Sequence, residues 1–253
     1  MRIDRLNDME EYVLQKRTAS LEDLSQQFEI SINTVRRDLP ELLSRGTIQK
    51  VYGGVSAVPI QNELVPFSVR EAKNADLKDA IGAMAAELVN DNTTIYLDSG
   101  STTVRMLPYL ANKSNVTIVS HSLSVLYESS KYPNLTVIAL GGMYNPSTSS
   151  YISQTNTAQL SKMSFDIVFI AAIGVDLRNG LTNITYFESE LKCVLMQRNK
   201  RIALMADHTK FGYTAPFSFC DFSDISVLIT DKVPSQAYLD VISKKNIQLL
   251  CRK

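Results

Sequence analysis

The chain has 253 residues, 45% hydrophobic and 21% charged, with 26 basic and 26 acidic side chains. That length holds one large domain, or a small domain beside a medium one, in an ordinary globular composition. A net charge of zero excludes an overall field that would draw the whole chain to nucleic acid or a membrane surface, so any such contact must come from a local patch.

The three cysteines, Cys193, Cys220 and Cys251, are odd in number and scattered. This argues for a reducing cytosol and against a disulfide framework or a zinc site, and neither metal nor cofactor is expected. The N-terminal segment, Met1-Arg-Ile-Asp-Arg-Leu-Asn-Asp8, is charged and lacks the apolar core of a signal peptide. No apolar run approaches membrane-spanning length, so a cytoplasmic location is expected.

Ile3, Leu6, Val13 and Leu14 recur at helical spacing, interrupted by Glu10, and predict a helix over 2–16. Thr18 and Ala19 read as a short connection. Ser20 and Asp23 have capping-box spacing, with Asp in place of the commoner Glu. They open a short helix carried by Leu21, Leu24 and Phe28. After a turn at Glu29 and Ile30, Ser31 is placed to cap a third helix. Ile32, Val35 and Leu39 form its apolar face, leaving Asn33, Thr34, Arg36 and Arg37 on the others. Two short helices joined by a tight turn make a helix-turn-helix, whose second helix enters the major groove. Arg and Asn carry donors that read base edges, and Ser, Thr and Arg can hold phosphates.

Gly46 is expected to close the third helix. Thr47 to Gly54 then predicts a β-hairpin wing, with Lys50 and Tyr52 beside the DNA backbone. Residues 1–54 hold eight Lys/Arg and nine Asp/Glu, but from Ser31 onward Arg36, Arg37, Arg45 and Lys50 face only Asp38 and Glu41. A local patch of that kind suffices for phosphate contacts.

Thr34-Val-Arg-Arg-Asp-Leu39, followed by Gly46 and Tyr52-Gly-Gly54, resembles the DNA-binding signature of the DeoR family of bacterial transcription regulators. The resemblance implies double-stranded operator DNA as a partner. Pro40 departs from the family pattern, which usually has a residue with a free N–H there. Proline inside a helix removes one hydrogen bond and costs about 3 kcal/mol or kinks the helix, so a bend is expected after Leu39.

Residues 1–57 therefore read as a winged helix-turn-helix domain, 58–75 as a linker containing Pro59 and Pro66, and 76–253 as a second domain. Arg70, Asn74 and Lys78 have a spacing that resembles the approach to the family's effector domain. On the residues alone they read as a solvated helix start. Beyond them helical and apolar β-type segments alternate. Strands are predicted over 94–97, 116–119, 135–140, 167–172, 201–205, 227–230 and 247–250. Helices are predicted over 103–111, 122–131, 156–162, 186–199 and 234–243. Such alternation predicts a mainly parallel, Rossmann-like α/β sheet. Ligands of such sheets bind beyond the carboxyl ends of the strands.

After the first strand, Asp98-Ser99-Gly100-Ser101-Thr102-Thr103 opens a helix with hydroxyls, a glycine for close approach and unpaired N–H groups, which suits a phosphate. Gly141-Gly142 follows the third strand, and Asp207-His208-Thr209-Lys210 follows the fifth. Lys210 can neutralise a phosphate, and Asp98 and Asp207 can accept from sugar hydroxyls. His121 and His208 read as pocket or surface residues and not as metal ligands. The same three motifs, in this order, resemble the family's effector domain. That domain resembles ribose-5-phosphate isomerase in fold. The resemblance implies a phosphorylated sugar effector and a repressor of carbohydrate genes; half-site geometry adds a homodimer or homotetramer. His121 stands where the family usually has Asn, and Ser153 where it often has Gly. An enzyme reading stays open beside this one: Asp98, Asp207 and Lys210 as acid, base and charge stabiliser of a sugar-phosphate isomerase. No G-x-G-x-x-G follows the first strand, which argues against a nicotinamide dehydrogenase.

Overall fold

The computed structural model describes residues 2–16, 18–45, 47–57 and 65–252. Gly46, the side chain of Ile3 and the linker residues 58–64 lie outside the described residues.

The N-terminal unit runs α1 (Arg2–Lys16), β1 (Thr18–Ser20), α2 (Leu21–Gln27), α3 (Ile32–Ser44), β2 (Ile48–Val51) and β3 (Gly54–Ala57). Ser20 and Asp23 satisfy each other's backbone N–H groups in the expected capping box. Thr18 and Ala19 are not a mere connection: β1 pairs antiparallel with β3, adding a third strand to the wing. Leu6, Met9 and Val13 of α1 meet Leu24, Val35, Leu39 and Leu42 in one buried cluster. Burial of each such side chain contributes about 1.5–3 kcal/mol. α3 runs through Pro40 as one element. The proline stands on its exposed side, away from the apolar stripe.

Two carboxylates fix the frame around α3. Asp38 is fully buried and accepts from Arg5 Nη2 of α1 at 2.6 Å. Glu10, which interrupts the apolar pattern of α1, is buried and accepts from Arg45 Nη1 at 2.6 Å and from the Thr47 hydroxyl. Arg45 is therefore a strut holding α3 to α1, and the basic patch rests on Arg36, Arg37 and Lys50. Asp38→Ala should destabilise the N-terminal unit by about 1–3 kcal/mol, read by urea unfolding, because Arg5 loses its buried partner but stays partly solvated.

The second unit runs α4 (Phe67–Ala72), α5 (Ala75–Ala86), β4 (Thr94–Leu97), a 3-10 helix (Thr103–Leu110), β5 (Val116–Ser120), α6 (Leu123–Ser129) and β6 (Leu135–Ala139). It continues with β7 (Met143–Asn145), β8 (Ser150–Ile152), α7 (Gln154–Leu160), β9 (Ile167–Ile170), β10 (Gly174–Asp176), β11 (Gly180–Asn183) and α8 (Tyr186–Arg198). The last elements are β12 (Ile202–Met205), β13 (Phe217–Cys220), β14 (Val227–Thr230), α9 (Gln236–Lys244) and β15 (Gln248–Cys251). Seven strands form one parallel sheet in the order β15-β14-β12-β9-β4-β5-β6. Its central strands are apolar on both faces, as a sheet covered on both sides requires. The chain winds one way from β4 and returns to the other side at β9. The crevice between the ends of β4 and β9 is thus the topological switch point, where open α/β sheets bind ligands.

Three features differ from the sequence reading. The stretch 103–111, expected to be an ordinary helix, is a 3-10 helix. Thr103's hydroxyl donates to the carbonyls of Asp98 and Gly100, and Pro108 offers no N–H for an α-helical bond and crowds the carbonyl four residues back. The second half of the expected linker is α4, whose Phe67 is buried with Ile81 and Val104 of the second unit. A small antiparallel sheet, β10-β11-β13, and the β7-β8 hairpin were not expected at all.

Candidate DNA interface and effector site

Ser31 caps α3, accepting from the Thr34 N–H at 3.1 Å, and its hydroxyl lies 2.9 Å from the Thr34 hydroxyl. Asn33, Arg36 and Arg37 are exposed on the first two turns, and Thr34 is half-buried. The buried stripe of Val35, Leu39 and Leu42 turns these side chains outward. On the wing, Lys50 is exposed and Tyr52 stands fully in solvent at the hairpin tip. All seven residues expected at DNA are thus at one helix start or on one hairpin. None of Arg36, Arg37 and Lys50 enters an ion pair among the described residues. Their donors remain available to phosphates and base edges.

At the switch point Asp98, Ser99, Gly100, Ser101 and Thr102 line a cavity with Lys210. A methyl group on Gly100 would lie 2.4 Å from the Ala171 side chain, so only glycine lets the loops after β4 and β9 meet. Asp98 Oδ2 accepts from the Ala171 N–H at 3.0 Å and from Lys192 at 2.9 Å. Among the described residues its Oδ1 is buried without a hydrogen-bond partner. Burial pushes the Asp98 carboxyl up, but Lys192 and the Ala171 N–H outweigh it and hold it below the usual carboxylate range. An ionised oxygen left bare in a buried wall is costly unless something donates to it.

Four polar lining residues lie outside the site expected from the sequence: Arg70, Asn183, Glu188 and Lys192. Glu188 accepts from the hydroxyls of Ser99 at 2.8 Å and Thr185 at 3.0 Å, and from Asn183 at 3.3 Å. Lys192 also donates to the Ala171 carbonyl at 2.6 Å and lies 4.9 Å from the Phe219 ring centre. Arg70 is held by the Val65 carbonyl at 3.0 Å. Burial lowers the pKa of Arg70 against the pull of Glu188 and Asp98, and lowers that of Lys210 against the pull of Asp207. Arg70 and Lys78, read from the sequence as a solvated helix start, are neither solvated nor alike. Lys78 is buried, donates to the carbonyls of Arg70 and Lys73, and is lowered by burial to about 8. It holds the turn that presents Arg70. Asn74 takes a left-handed conformation, φ 56°, at that turn.

The remaining expected residues sit elsewhere. Thr103 is buried and spends its hydroxyl on backbone carbonyls. Asp207 accepts from the Thr209 N–H at 3.0 Å and from the Thr209 hydroxyl, capping the short turn that carries Lys210. Gly141 and Gly142 are exposed outside the cavity. Gly142 has φ +144°, and a side chain there would lie 2.4 Å from the Ile152 carbonyl, so it serves the fit of the β7-β8 hairpin. His208 bonds Asp231 through Nδ1 at 2.6 Å on the surface. His121 and Ser153 line a second cavity, which shares Glu188 with the first.

A winged helix-turn-helix with unpaired arginines on its second helix, joined to an α/β unit with a charged crevice at its switch point, defines a two-domain DNA-binding regulator. The profile described as "DeoR-like helix-turn-helix domain" matches residues 5–61, and that described as "DeoR C terminal sensor domain" matches residues 73–232. The chain belongs to the DeoR family of transcription regulators. It is 34% identical over 247 residues to the HTH-type transcriptional regulator IolR of Bacillus subtilis, covering 98% of each chain. It is 28% identical to the glycerol-3-phosphate regulon repressor of Escherichia coli, again over 98% of each. Among solved structures, a ribose 5-phosphate isomerase from Methanocaldococcus jannaschii is 19% identical over 55% of each chain, with a TM-score of 0.40. Membership of a family of regulators sets the enzyme reading aside. Among the described residues no helix is long and apolar enough to cross a membrane.

Proposed function

We propose that the protein is a cytoplasmic repressor of carbohydrate genes whose operator affinity is set by a phosphorylated sugar bound at the switch-point cavity. One observation carries this reading: in a single cavity, the bare carboxylate oxygen of Asp98 is set among three cations, Arg70, Lys192 and Lys210, against two carboxylates, Asp98 and Glu188. The oxygen calls for a hydroxyl donor, and the cationic excess calls for an anion; a sugar phosphate supplies both. Backbone N–H groups of the Ser99–Thr102 turn add donors for phosphate oxygens. The names of the two relatives, one a regulator and one a repressor of a glycerol-3-phosphate regulon, agree with it. Calorimetric titration with matched sugar and sugar-phosphate pairs tests the reading. The phosphate should bind and its unphosphorylated partner bind at least tenfold more weakly, since charge-assisted hydrogen bonds are roughly twice as strong as neutral ones. Equal affinity for both members of every pair would overturn it.

The regulator works as a dimer or tetramer in this reading. One helix-turn-helix reads a half-site, and paired half-sites lie about one helical turn or a multiple apart. Light scattering should give at least twice the 28.2 kDa chain mass. Monomer alone, with operator present, would count against it.

A further inference from the structure

The cavity at the switch point is small, about 30 Å³, too small for a whole sugar phosphate. Next to it, across Glu188, lies a second cavity of about 190 Å³ lined by His121, Tyr151, Ser153, Tyr186, Glu188 and Glu190 among others. His121 is the chemical oddity of this second space. It is 1% exposed, its Nδ1 lies 2.7 Å from the Tyr96 hydroxyl, and its Nε2 is buried with no partner among the described residues. The two ring planes are nearly parallel, 13° apart.

The pair fixes where the imidazole proton sits. Tyr96 is fully buried and stays protonated, because burial and then Asp98 and Glu188 raise its pKa well above the usual value. Among the described residues the only partner of its hydroxyl is His121 Nδ1. The buried O–H must therefore donate there, or go unsatisfied at a cost. An imidazole whose Nδ1 accepts from the Tyr96 O–H is neutral, and burial lowers the His121 pKa in the same sense, against Asp98 and Glu188. A neutral imidazole that accepts at Nδ1 carries its proton on Nε2. Nε2–H is then a buried donor with nothing to donate to.

We propose that the second cavity receives the uncharged end of the effector and that His121 selects it, Nε2–H donating to a hydroxyl or carbonyl oxygen on the ligand's carbon chain. The inference rests on the sugar-phosphate reading above and adds which part of the ligand goes where. Phosphate stays at the first cavity, which has the cations. The second has Glu188 and Glu190 in its wall and no cation among the described residues, so an anionic group there meets like charge. Glu188 already accepts from Ser99, Asn183 and Thr185, and His121 Nε2 is the buried donor at this wall that has no partner among the described residues. Ligands too short to pass Glu188 gain nothing from it.

The chain has two histidines, so nitrogen-15 imidazole NMR on the full-length protein reads His121 directly, with the surface residue His208 as control. Without ligand, His121 should be neutral with its proton on Nε2. Inorganic phosphate should leave that resonance in place, and a hexose 6-phosphate that binds should move it while His208 stays unmoved. In titrations, His121→Leu should lower affinity for that hexose phosphate about tenfold, the worth of one buried hydrogen bond to a ligand, and leave inorganic phosphate unchanged. Tyr96→Phe, which changes only the group behind the ring, should lower the same ratio by releasing the tautomer. A cationic ring, a proton on Nδ1, or a bound hexose phosphate that leaves Nε2 unmoved overturns the assignment. So does His121→Leu with the parent's ratio of hexose phosphate to phosphate affinity. If no phosphorylated probe binds at all, inorganic phosphate included, the sugar-phosphate reading fails and this one with it. Binding with His121 unresponsive sinks this inference alone.

Discussion

Replacing Lys210 by Ala should abolish the effector response while leaving operator binding by the free protein at the parent's value. Lys210 is half-buried in the wall of the switch-point cavity, on a turn held by the Asp207 cap. Truncating one partner of a desolvated, hydrogen-bonded charge pair costs about 2–5 kcal/mol, or roughly 30- to several-thousand-fold in affinity. Arg70→Ala should act in the same direction, because Arg70 lines the same cavity. Thr102→Val removes one hydroxyl from the lining and should cost less, about 0.5–1.5 kcal/mol for a hydrogen bond between neutral groups or up to ~3 to a charged one. None of the three touches the DNA-reading helix. Calorimetry with a phosphorylated sugar that binds the parent checks all three. Unchanged affinity in Lys210→Ala would remove the phosphate from this cavity.

Arg36→Ala and Arg37→Ala should each weaken operator binding, and the double variant should reduce it to the level of unrelated DNA. Both side chains are exposed early in α3. An arginine that reads a base edge should cost about 1–3 kcal/mol and relax specificity at one position; one that holds a phosphate should weaken binding to all sequences and lower the salt slope by about one. Fluorescence anisotropy against the operator and a scrambled duplex, at two salt concentrations, separates the two roles. Parent-like binding by both single variants would mean that α3 is not the reading helix.

Much of this architecture is legible in the residues because local rules fix it. The Ser20 and Ser31 caps, the apolar stripe of α3, and strands 94–97 and 227–230 lie where spacing and β-branched runs place them. The rule that ligands sit beyond strand ends then brings Asp98–Thr102 and Lys210 to one crevice. What escaped is long-range. Ser99 meets Glu188 across 89 positions. Glu188 and Lys192 stand four apart on α8, a spacing that ordinarily marks a solvated helical ion pair; here both are buried and Lys192 turns to Asp98 instead. Gly141-Gly142 falls outside that cavity for a related reason. A glycine shows that something approaches closely, and here the neighbour is the chain's own hairpin. The strands of the small sheet, three or four residues each, are too short to leave a period.

Operator affinity measured by anisotropy, on the DNA upstream of the protein's own gene and across a panel of phosphorylated sugars, tests the central claim most directly. At least one phosphorylated sugar should shift the parent's operator Kd by about 5–150-fold, the usual range of coupling between two sites. Its unphosphorylated counterpart should not, and Lys210→Ala should bind operator normally with no shift. A parent whose operator Kd no phosphorylated sugar moves, or a Lys210→Ala variant that responds as the parent does, would contradict it.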